Sequence, residues 1–194
     1  MNSLLINILI RTKNRPDKFK TCIESVLNQT YTNYNIIIYD NSTITSYIKW
    51  GTYKVIQDNT PCVGFSYNLF CNALKEKVNE GWMFFLDDDD LLNTPTALEE
   101  ISVELTNPNE AVICQFVRAN GKPKPSDELM DRGMIVSGRI GMPCIILHSN
   151  HKNIAQFTNT ENADFLFIKE VSQKLPCKFV KKILVNSKKR NYGN

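Results

Sequence analysis

Several features that mark special classes of protein are missing from this 194-residue sequence. It contains no internal repeat, no low-complexity segment and no apolar run long enough to cross a bilayer. The apolar stretch 4–10 runs directly into basic residues and lacks a small-residue cleavage site, so it does not have the pattern of a signal peptide. The net charge of +3 is too small to indicate nucleic-acid binding. We therefore expect one domain, residues 1–194, with no membrane span and no nucleic-acid partner.

Cysteine is present but is not arranged in pairs. The six cysteines are widely scattered, no C-x-x-C motif occurs, and most lie within apolar runs. This pattern is typical of reduced thiols in a protein core and favours a cytoplasmic location. A zinc site or a disulfide framework is the alternative. The six are Cys22, Cys62, Cys71, Cys114, Cys144 and Cys177.

Strand and helix patterns alternate over the first hundred residues. Residues 6–10, 36–39, 53–57 and 82–86 have strand patterns, and the strongly apolar 82–86 indicates a strand buried on both faces. A helix with an apolar stripe from Phe19 to Leu27 is predicted to begin at Pro16. A second helix is predicted over 64–79, ending at Gly81, and a third after Thr94–Pro95. This alternation predicts an α/β fold with a mainly parallel central sheet flanked by helices.

After residue 107 the pattern is looser. Residues 112–117, 144–148 and 178–185 are predicted strands, and the polar, glycine- and proline-containing segment 121–126 is a predicted surface loop. No linker divides the chain.

Polar side chains follow three of the predicted strands. Arg11 and Thr12 come after the first strand, Asp40 after the second, and four consecutive aspartates after residues 82–86. Ligands of open α/β sheets bind outside the carboxyl ends of the strands. The sequence therefore predicts a binding site at this edge.

The aspartate run, Asp87–Asp90, is the most specific feature of the sequence. Adjacent carboxylates at the end of a buried strand repel one another, and a divalent cation such as Mg²⁺ or Mn²⁺ would resolve that conflict. In an extended segment Asp87 and Asp89 point the same way, so the pair is suited to one metal ion, or to a metal ion and a ribose. The alternative is a solvated acidic turn before a helix N-terminus.

Four segments in order resemble the family 2 glycosyltransferases of the GT-A fold. Residues 8–16 resemble the strand and loop that open this family, residues 22–31 its first helix, and residues 37–43 its strand ending in an acidic residue. Residues 84–90 match its D-x-D signature with the apolar lead-in. The order and spacing of all four agree over the first half of the chain.

The resemblance implies roles for individual residues of this half. Thr12 and Arg15 would lie beside the base and phosphates of a nucleotide-sugar, and Asp40 would accept a hydrogen bond from the base, commonly uracil. Tyr39 departs from the family, because the first acid of the usual pair is missing.

The aspartate run receives its roles from the same resemblance. Asp87 and Asp88 would contact the nucleotide-sugar, and Asp89 would ligate a metal ion, Mn²⁺ or Mg²⁺, together with Asp87.

In the second half the resemblance assigns a catalytic base and one further ligand. Residues 160–166 resemble the segment that carries the base, with Asn162 in place of one acid, so either Asp164 or Glu161 would take the proton from the acceptor. His148 is an alternative extra metal ligand, or else a hydrogen-bonded residue at a strand end. The basic tail 188–190 would approach the diphosphate, or else is solvated.

The resemblance implies a metal-dependent, inverting transfer of a sugar from a UDP-sugar to a glycan or glycoprotein acceptor. Residues 1–107 would bind the donor and residues 108–194 the acceptor. Compact chains of this kind are similar to those of large viruses that glycosylate their own capsids. Two alternatives are a nucleotidyltransferase, disfavoured because the loop 11–16 lacks glycine, and a non-catalytic nucleotide-sugar or glycan binding module.

Overall fold

The computed structural model describes residues 4–43, 53–118 and 121–187. Within them, nine strands form one sheet in the order β3-β2-β1-β4-β8-β6-β9-β5, with β7 paired to β6. The strands are β1 (Ile6–Thr12), β2 (Tyr34–Asp40), β3 (Lys54–Gln57), β4 (Trp82–Asp87), β5 (Asp90–Leu92), β6 (Ala111–Arg118), β7 (Pro123–Lys124), β8 (Ile145–His148) and β9 (Cys177–Ser187).

Strands β1 to β4 are parallel, as the sequence predicts. β1 lies between β2 and β4 and is parallel to both, with Thr12 beside Asp40 and Arg11 beside Asp87. Every residue of β4 is buried, because helices cover both faces of this part of the sheet. The polar residues that follow β1, β2 and β4 are therefore brought to one edge, which we call the carboxyl edge.

The described residues also form five α-helices: α1 (Pro16–Leu27), α2 (Phe70–Glu76), α3 (Ala97–Ser102), α4 (Asp127–Asp131) and α5 (Ala163–Lys174). In α1 the predicted apolar stripe is buried at Phe19, Cys22, Ile23 and Val26, whereas Leu27 at its end is exposed.

The predicted helix over 64–79 is shorter than expected. α2 begins at Phe70, after a 3₁₀ turn at Ser66–Leu69. Two groups before it bond to a distant loop, since Phe65 N–H donates to Asn159 Oδ1 and Asn68 Nδ2 donates to the carbonyl of Thr160. Gly81 does not end this helix but forms the turn into β4, with a φ of +82°. A Cβ there would lie 2.6 Å from the carbonyl oxygen of Leu5.

The second half makes the sheet mixed rather than mainly parallel. β8 is antiparallel to both β4 and β6, so β6 runs in the same direction as β4 and also ends at the carboxyl edge. The sequence missed β5 in the aspartate run and β7 in the predicted loop 121–126. The α/β fold itself is confirmed.

The six cysteines are free thiols, and four of them are buried. No helix in the described part of the chain is long and apolar enough to cross a membrane. The basic tail 188–190 lies outside the described residues.

Candidate functional site

A cleft of about 410 Å³ opens at the carboxyl edge, where the sequence predicts a site. A second cleft, of about 350 Å³, lies at the opposite ends of β1 and β2 and includes none of the aspartate run. The first cleft is lined by Arg11, Thr12, Lys13, Arg15, Lys18, Cys62, Tyr67, Phe70, Asp87 and Asp89.

Asp87 is held at the cleft by Arg11. The guanidinium donates from Nε to Oδ1 at 2.7 Å and from Nη2 to Oδ2 at 3.4 Å, and both side chains are 11% exposed. The same guanidinium donates to the carbonyl of Tyr67 at 3.1 Å and to Asn68 Oδ1 at 2.9 Å. Burial is the largest single influence on Arg11 and opposes its charge, but Asp87, Cys71 and Tyr67 together outweigh it, so the pKa of Arg11 is raised. Asp87 is thus fixed in place by a buried ion pair.

Asp88 faces away from the cleft and is fully buried. It accepts hydrogen bonds from Thr12 Oγ1 at 2.7 Å and from Arg15 Nε at 3.0 Å, and its other oxygen pairs with Arg15 Nη2. Burial raises the pKa of Asp88 to about 6, although Arg15 and Thr12 oppose that shift. The contact with a nucleotide-sugar that the resemblance implied for Asp88 stays a prediction, and in this structure Asp88 binds the side chains of Thr12 and Arg15.

Asp89 lines the cleft with looser contacts. Its Oδ2 lies 3.4 Å from Arg15 Nη1 and 3.7 Å from Lys18 Nζ. Three cations of the chain itself therefore relieve part of the repulsion: Arg11 pairs with Asp87, Arg15 with both Asp88 and Asp89, and Lys18 lies beside Asp89. These cations supply part of the positive charge that the sequence analysis expected from a metal ion.

A divalent cation nonetheless fits Asp89, whose long contacts leave carboxylate oxygen available at the cleft. Within the described ranges no three His, Cys, Asp or Glu side chains form a ready-made metal cluster. Mg²⁺ is usually held by one or two carboxylates together with substrate phosphates and water, so it does not require such a cluster.

The lining carries more positive than negative charge. Four cations, Arg11, Lys13, Arg15 and Lys18, face two carboxylates, Asp87 and Asp89. Lys13 and Arg15 lie in the loop before α1, and Lys18 lies in its first turn. The N-terminus of this helix adds an electrostatic field that favours anions. The lining therefore has a net positive charge, which Asp88 offsets in part through its pair with Arg15, and the cleft is suited to an anion.

One wall of the cleft is less polar, and sequence reasoning missed it. It consists of Cys62, Tyr67 and Phe70. Phe70 is fixed by a stacked contact with Tyr39, with the ring centroids 4.2 Å apart. Phe70 falls within the helix predicted over 64–79, and nothing in the sequence indicated that it also lines a cleft. Such a wall can contact the flat face of a base.

Asp40 does not line the cleft. It is fully buried, with Oδ1 accepting from the backbone N–H of Ser42 at 2.9 Å and Oδ2 lying 3.4 Å from Gln57 Nε2. The role of base acceptor that the resemblance implied stays a prediction, and the structure gives Asp40 a turn-stabilising role beside the site.

The cleft is connected to the segment that precedes α5. Asn68, which holds Arg11, also donates from Nδ2 to the carbonyl of Thr160 at 2.9 Å. Asn72 pairs with both backbone groups of Phe157 at 2.8 and 2.9 Å, and the buried Lys75 donates to the carbonyl of Ala155 at 2.6 Å. One face of the 68–75 segment therefore anchors residues 155–160.

The two candidate bases lie just beyond that anchor. Asp164 is half-buried in the first turn of α5, and its Oδ1 accepts from the N–H of Phe165 at 2.7 Å. Gly141 lies between Asp164 and Phe116. If Gly141 carried a Cβ atom, that atom would lie 3.7 Å from Asp164 Oδ2 and 3.4 Å from the Phe116 ring. Glu161 is exposed. Neither carboxylate lines the cleft, so each would act on a partner that binds beside it.

His148 is not positioned to join the metal site. The antiparallel register places it opposite Trp82, at the far end of β4 from Asp87, and five residues of strand span about 16 Å. Its ring makes an edge contact with Trp82, and its Nδ1 accepts from the N–H of Asn150. The proposal of His148 as a ligand is thus corrected in favour of its alternative, a hydrogen-bonded residue at the end of a strand.

Comparisons with known proteins agree with this arrangement. The structure of S. aureus TarS 1–349 in complex with UDP-GlcNAc has a TM-score of 0.74 and 15% identity, covering 98% of this chain and 60% of that one. Mannosyltransferase PcManGT from Pyrobaculum calidifontis, in complex with GDP-Man and Mn²⁺, has a TM-score of 0.69 and 13% identity, covering 96% of this chain and 58% of that one. The chain thus spans about three fifths of these solved structures, and at such identities the similarity establishes the fold.

The sequence itself matches one family model. No curated protein has a sequence that matches this chain. The model described as glycosyl transferase family 2 matches residues 7–166, which include β1, the aspartate run and the start of α5. That match covers most of the sequence, and the chain belongs to glycosyltransferase family 2.

Proposed function

We propose that this protein transfers a sugar from a nucleoside-diphosphate sugar, with UDP as the favoured nucleotide, to a hydroxyl group of a glycan or glycoprotein. The observation that carries the proposal is the cleft at the carboxyl edge, with its surplus of positive charge beside Asp89. Family membership supports it. So do the fold relatives, of which TarS was solved with UDP-GlcNAc and with UDP, and PcManGT with GDP-Man and Mn²⁺.

The residues of the cleft divide the work of donor binding. Lys13, Arg15 and Lys18 would bind the diphosphate, because they are the cations at the cleft that are not committed to Asp87. The wall formed by Tyr67 and Phe70 would contact the base. These residues all belong to 1–107, which we assign to the donor.

Asp87 and Asp89 have separate tasks in this proposal. Asp87, fixed by Arg11, would accept a hydrogen bond from the ribose. Asp89 would hold Mn²⁺ or Mg²⁺, which supplies electrophilic stabilisation of the departing diphosphate.

The second half, 108–194, would supply the acceptor site and the base. The acceptor oxygen attacks the anomeric carbon, the bond from that carbon to the diphosphate oxygen breaks, and Asp164 or Glu161 takes the hydroxyl proton. Attack from the face opposite the leaving group inverts the anomeric configuration. We favour Asp164, because its half-buried position beside Gly141 fixes its orientation better than the exposed Glu161. Retention of configuration in the product, read by proton NMR, would contradict this mechanism.

The direct test is isothermal titration of UDP, GDP and their sugars, with and without Mn²⁺, into wild type, Asp89→Asn and a control. Asp131→Asn is the matched control, because Asp131 lies on α4 and pairs with Lys181. We expect metal-dependent UDP binding that Asp89→Asn loses and the control keeps. If no nucleotide binds under any condition, the cleft is not a donor site and the proposal fails.

A non-catalytic binding module is the second candidate. It is favoured by Asn162, which replaces one acid of the family's usual pair, and by the exposure of Glu161. Wild type that binds a UDP-sugar but neither hydrolyses it nor transfers its sugar to any acceptor would support this reading. Transfer that Asp164→Asn abolishes without loss of UDP binding would exclude it.

A further inference from the structure

A cluster of basic side chains lies at the carboxyl edge outside the donor cleft. It consists of Arg118 at the end of β6, Lys124 in β7 and Arg139 in the following loop, and we call it the β7 basic cluster. Lys124 pairs with Phe116 in the β6–β7 register, and the guanidinium carbon of Arg118 lies 5.7 Å from the centroid of the Phe116 ring. Lys124 Nζ donates to the carbonyl of Gly138 at 3.2 Å, which brings Arg139 beside the other two.

The three charges are not neutralised by neighbouring carboxylates. Within the described ranges, no ion pair involves any member of the cluster. On the adjacent α4, Glu128 pairs with Arg132 and Asp131 with Lys181, whereas Asp127 accepts a hydrogen bond from the neutral amide of Gln115. Burial lowers the pKa of Lys124, and the charges of Arg118 and Arg139 lower it further. The cluster is therefore a small concentration of positive charge.

The cluster lies beside the candidate base. Gly141 is in contact range of both Phe116 and Asp164. Lys124 and Arg118 lie beside the same Phe116. Arg118 pairs with Ser187, which in turn pairs with Asp90, so two strand spacings, about 10 Å, separate Arg118 from the aspartate run. A molecule that presents a hydroxyl group to Asp164 would also reach this cluster.

We propose that the β7 basic cluster binds an anionic group, phosphate or carboxylate, carried by the acceptor glycan. This inference rests on the proposed function, since it names the acceptor class for that reaction. Three cations placed beside the candidate base would orient such an acceptor and disfavour neutral ones. The cations of the donor cleft are assigned to the diphosphate, so they do not duplicate this role.

The test is titration of sugar probes into protein saturated with UDP and Mn²⁺, so that the donor cleft is blocked. Mannose 6-phosphate tests a phosphate source and trigalacturonic acid a carboxylate source, with mannose and galactotriose as neutral counterparts. The variant is Arg118→Gln with Arg139→Gln, both exposed, which leaves the half-buried Lys124 in place. Its control, Lys20→Gln with Lys77→Gln, removes the same charge from exposed positions on α1 and after α2.

We expect at least one charged probe to bind more tightly than its neutral counterpart, with affinity that falls as salt is added. The cluster variant should bind that probe about tenfold more weakly, with UDP affinity unchanged, while the control behaves as wild type. Equal binding of charged and neutral probes, or equal losses in variant and control, would overturn the inference. So would a single-stranded DNA oligonucleotide that binds as tightly as the sugars, since the surface would then take polyanions in general.

The two proposals fail in different ways in this experiment. If UDP does not bind, the proposed function falls and the acceptor inference falls with it. If UDP binds but the charged sugars show no preference, only the acceptor inference is wrong.

Discussion

Replacement of Arg11 by methionine tests how the aspartate run is held at the cleft. Methionine keeps much of the length of the side chain but removes its charge and all its donors. Asp87 then loses the guanidinium with which it forms a buried ion pair, and Asn68 Oδ1 and the carbonyl of Tyr67 each lose a donor. Breaking one side of a buried ion pair costs about 3–5 kcal/mol, so we expect Arg11→Met to lower the free energy of unfolding by that amount.

A double-mutant cycle separates the ion pair from the loss of packing. Asp87→Asn removes the carboxylate charge that loses its guanidinium partner in Arg11→Met. The loss of stability in the double variant should therefore be about 2 kcal/mol smaller than the sum of the losses in the two single variants. The assay is urea unfolding of the ligand-free protein at pH 7. Lys174→Met is the matched control, because its pair with Glu170 is a half-exposed i,i+4 contact and should contribute less than about 0.5 kcal/mol. A loss of less than about 1 kcal/mol for Arg11→Met, or strict additivity in the cycle, would refute the reasoning.

Three further results are expected. Burial lowers the pKa of Lys75 from 10.5 to about 8, so between these pH values the native state binds fewer protons than the unfolded state. The free energy of unfolding of wild type relative to Lys75→Met should therefore rise by roughly 3 kcal/mol over that range, and a flat difference in urea unfolding would contradict this. Asn68→Ala should slow transfer by about tenfold to a hundredfold with little change in the Kd for UDP, because Asn68 bridges Arg11 and Thr160 without lining the cleft. A parallel loss of UDP affinity in titration would instead place Asn68 in the donor site. Lys18→Gln should raise the Kd for UDP about fivefold at low salt while leaving that for uridine unchanged; an equal effect on both ligands would argue against a diphosphate contact.

The elements of the first half are predictable from sequence because each has a strong local signal. The apolar runs at 6–10 and 82–86 are too hydrophobic to form anything but buried elements, and Pro16 sets the start of α1. Parallel strands place their carboxyl ends together, so the position of the aspartate run at a cleft follows from the order of elements alone. Asp87 and Asp89 do both line the cleft, but the reason differs from the predicted alternation in an extended segment, because residues 88 and 89 form a turn between β4 and β5.

The errors concern contacts between distant parts of the chain. A sequence does not reveal that Arg11 will pair with Asp87, or that Asp88 will turn inward to Thr12, because those choices depend on the register of β1 beside β4. His148 was misplaced for the same reason, since its position depends on an antiparallel register that the local pattern does not encode.

Several inferences from the sequence remain predictions. They are inversion, the choice between Mn²⁺ and Mg²⁺, the cytoplasmic location and the likeness to enzymes that glycosylate viral capsids. Each concerns a reaction product, a ligand or a cellular setting rather than the arrangement of the folded chain.

The position of β5 has a mechanical consequence for the aspartate run. Four strand spacings, about 19 Å, would separate β4 from β5 along a flat sheet, because β8, β6 and β9 lie between them. Only Asp88 and Asp89 join the two strands in the chain, and three residue steps reach about 11 Å at most. The sheet must therefore curl until β5 returns towards β4, and the short connection through Asp88 and Asp89 maintains that curvature. One glycine inserted between Asp88 and Asp89 would lengthen the connection. Both the curvature of the five strands and the positions of the carboxylates would then be less restricted.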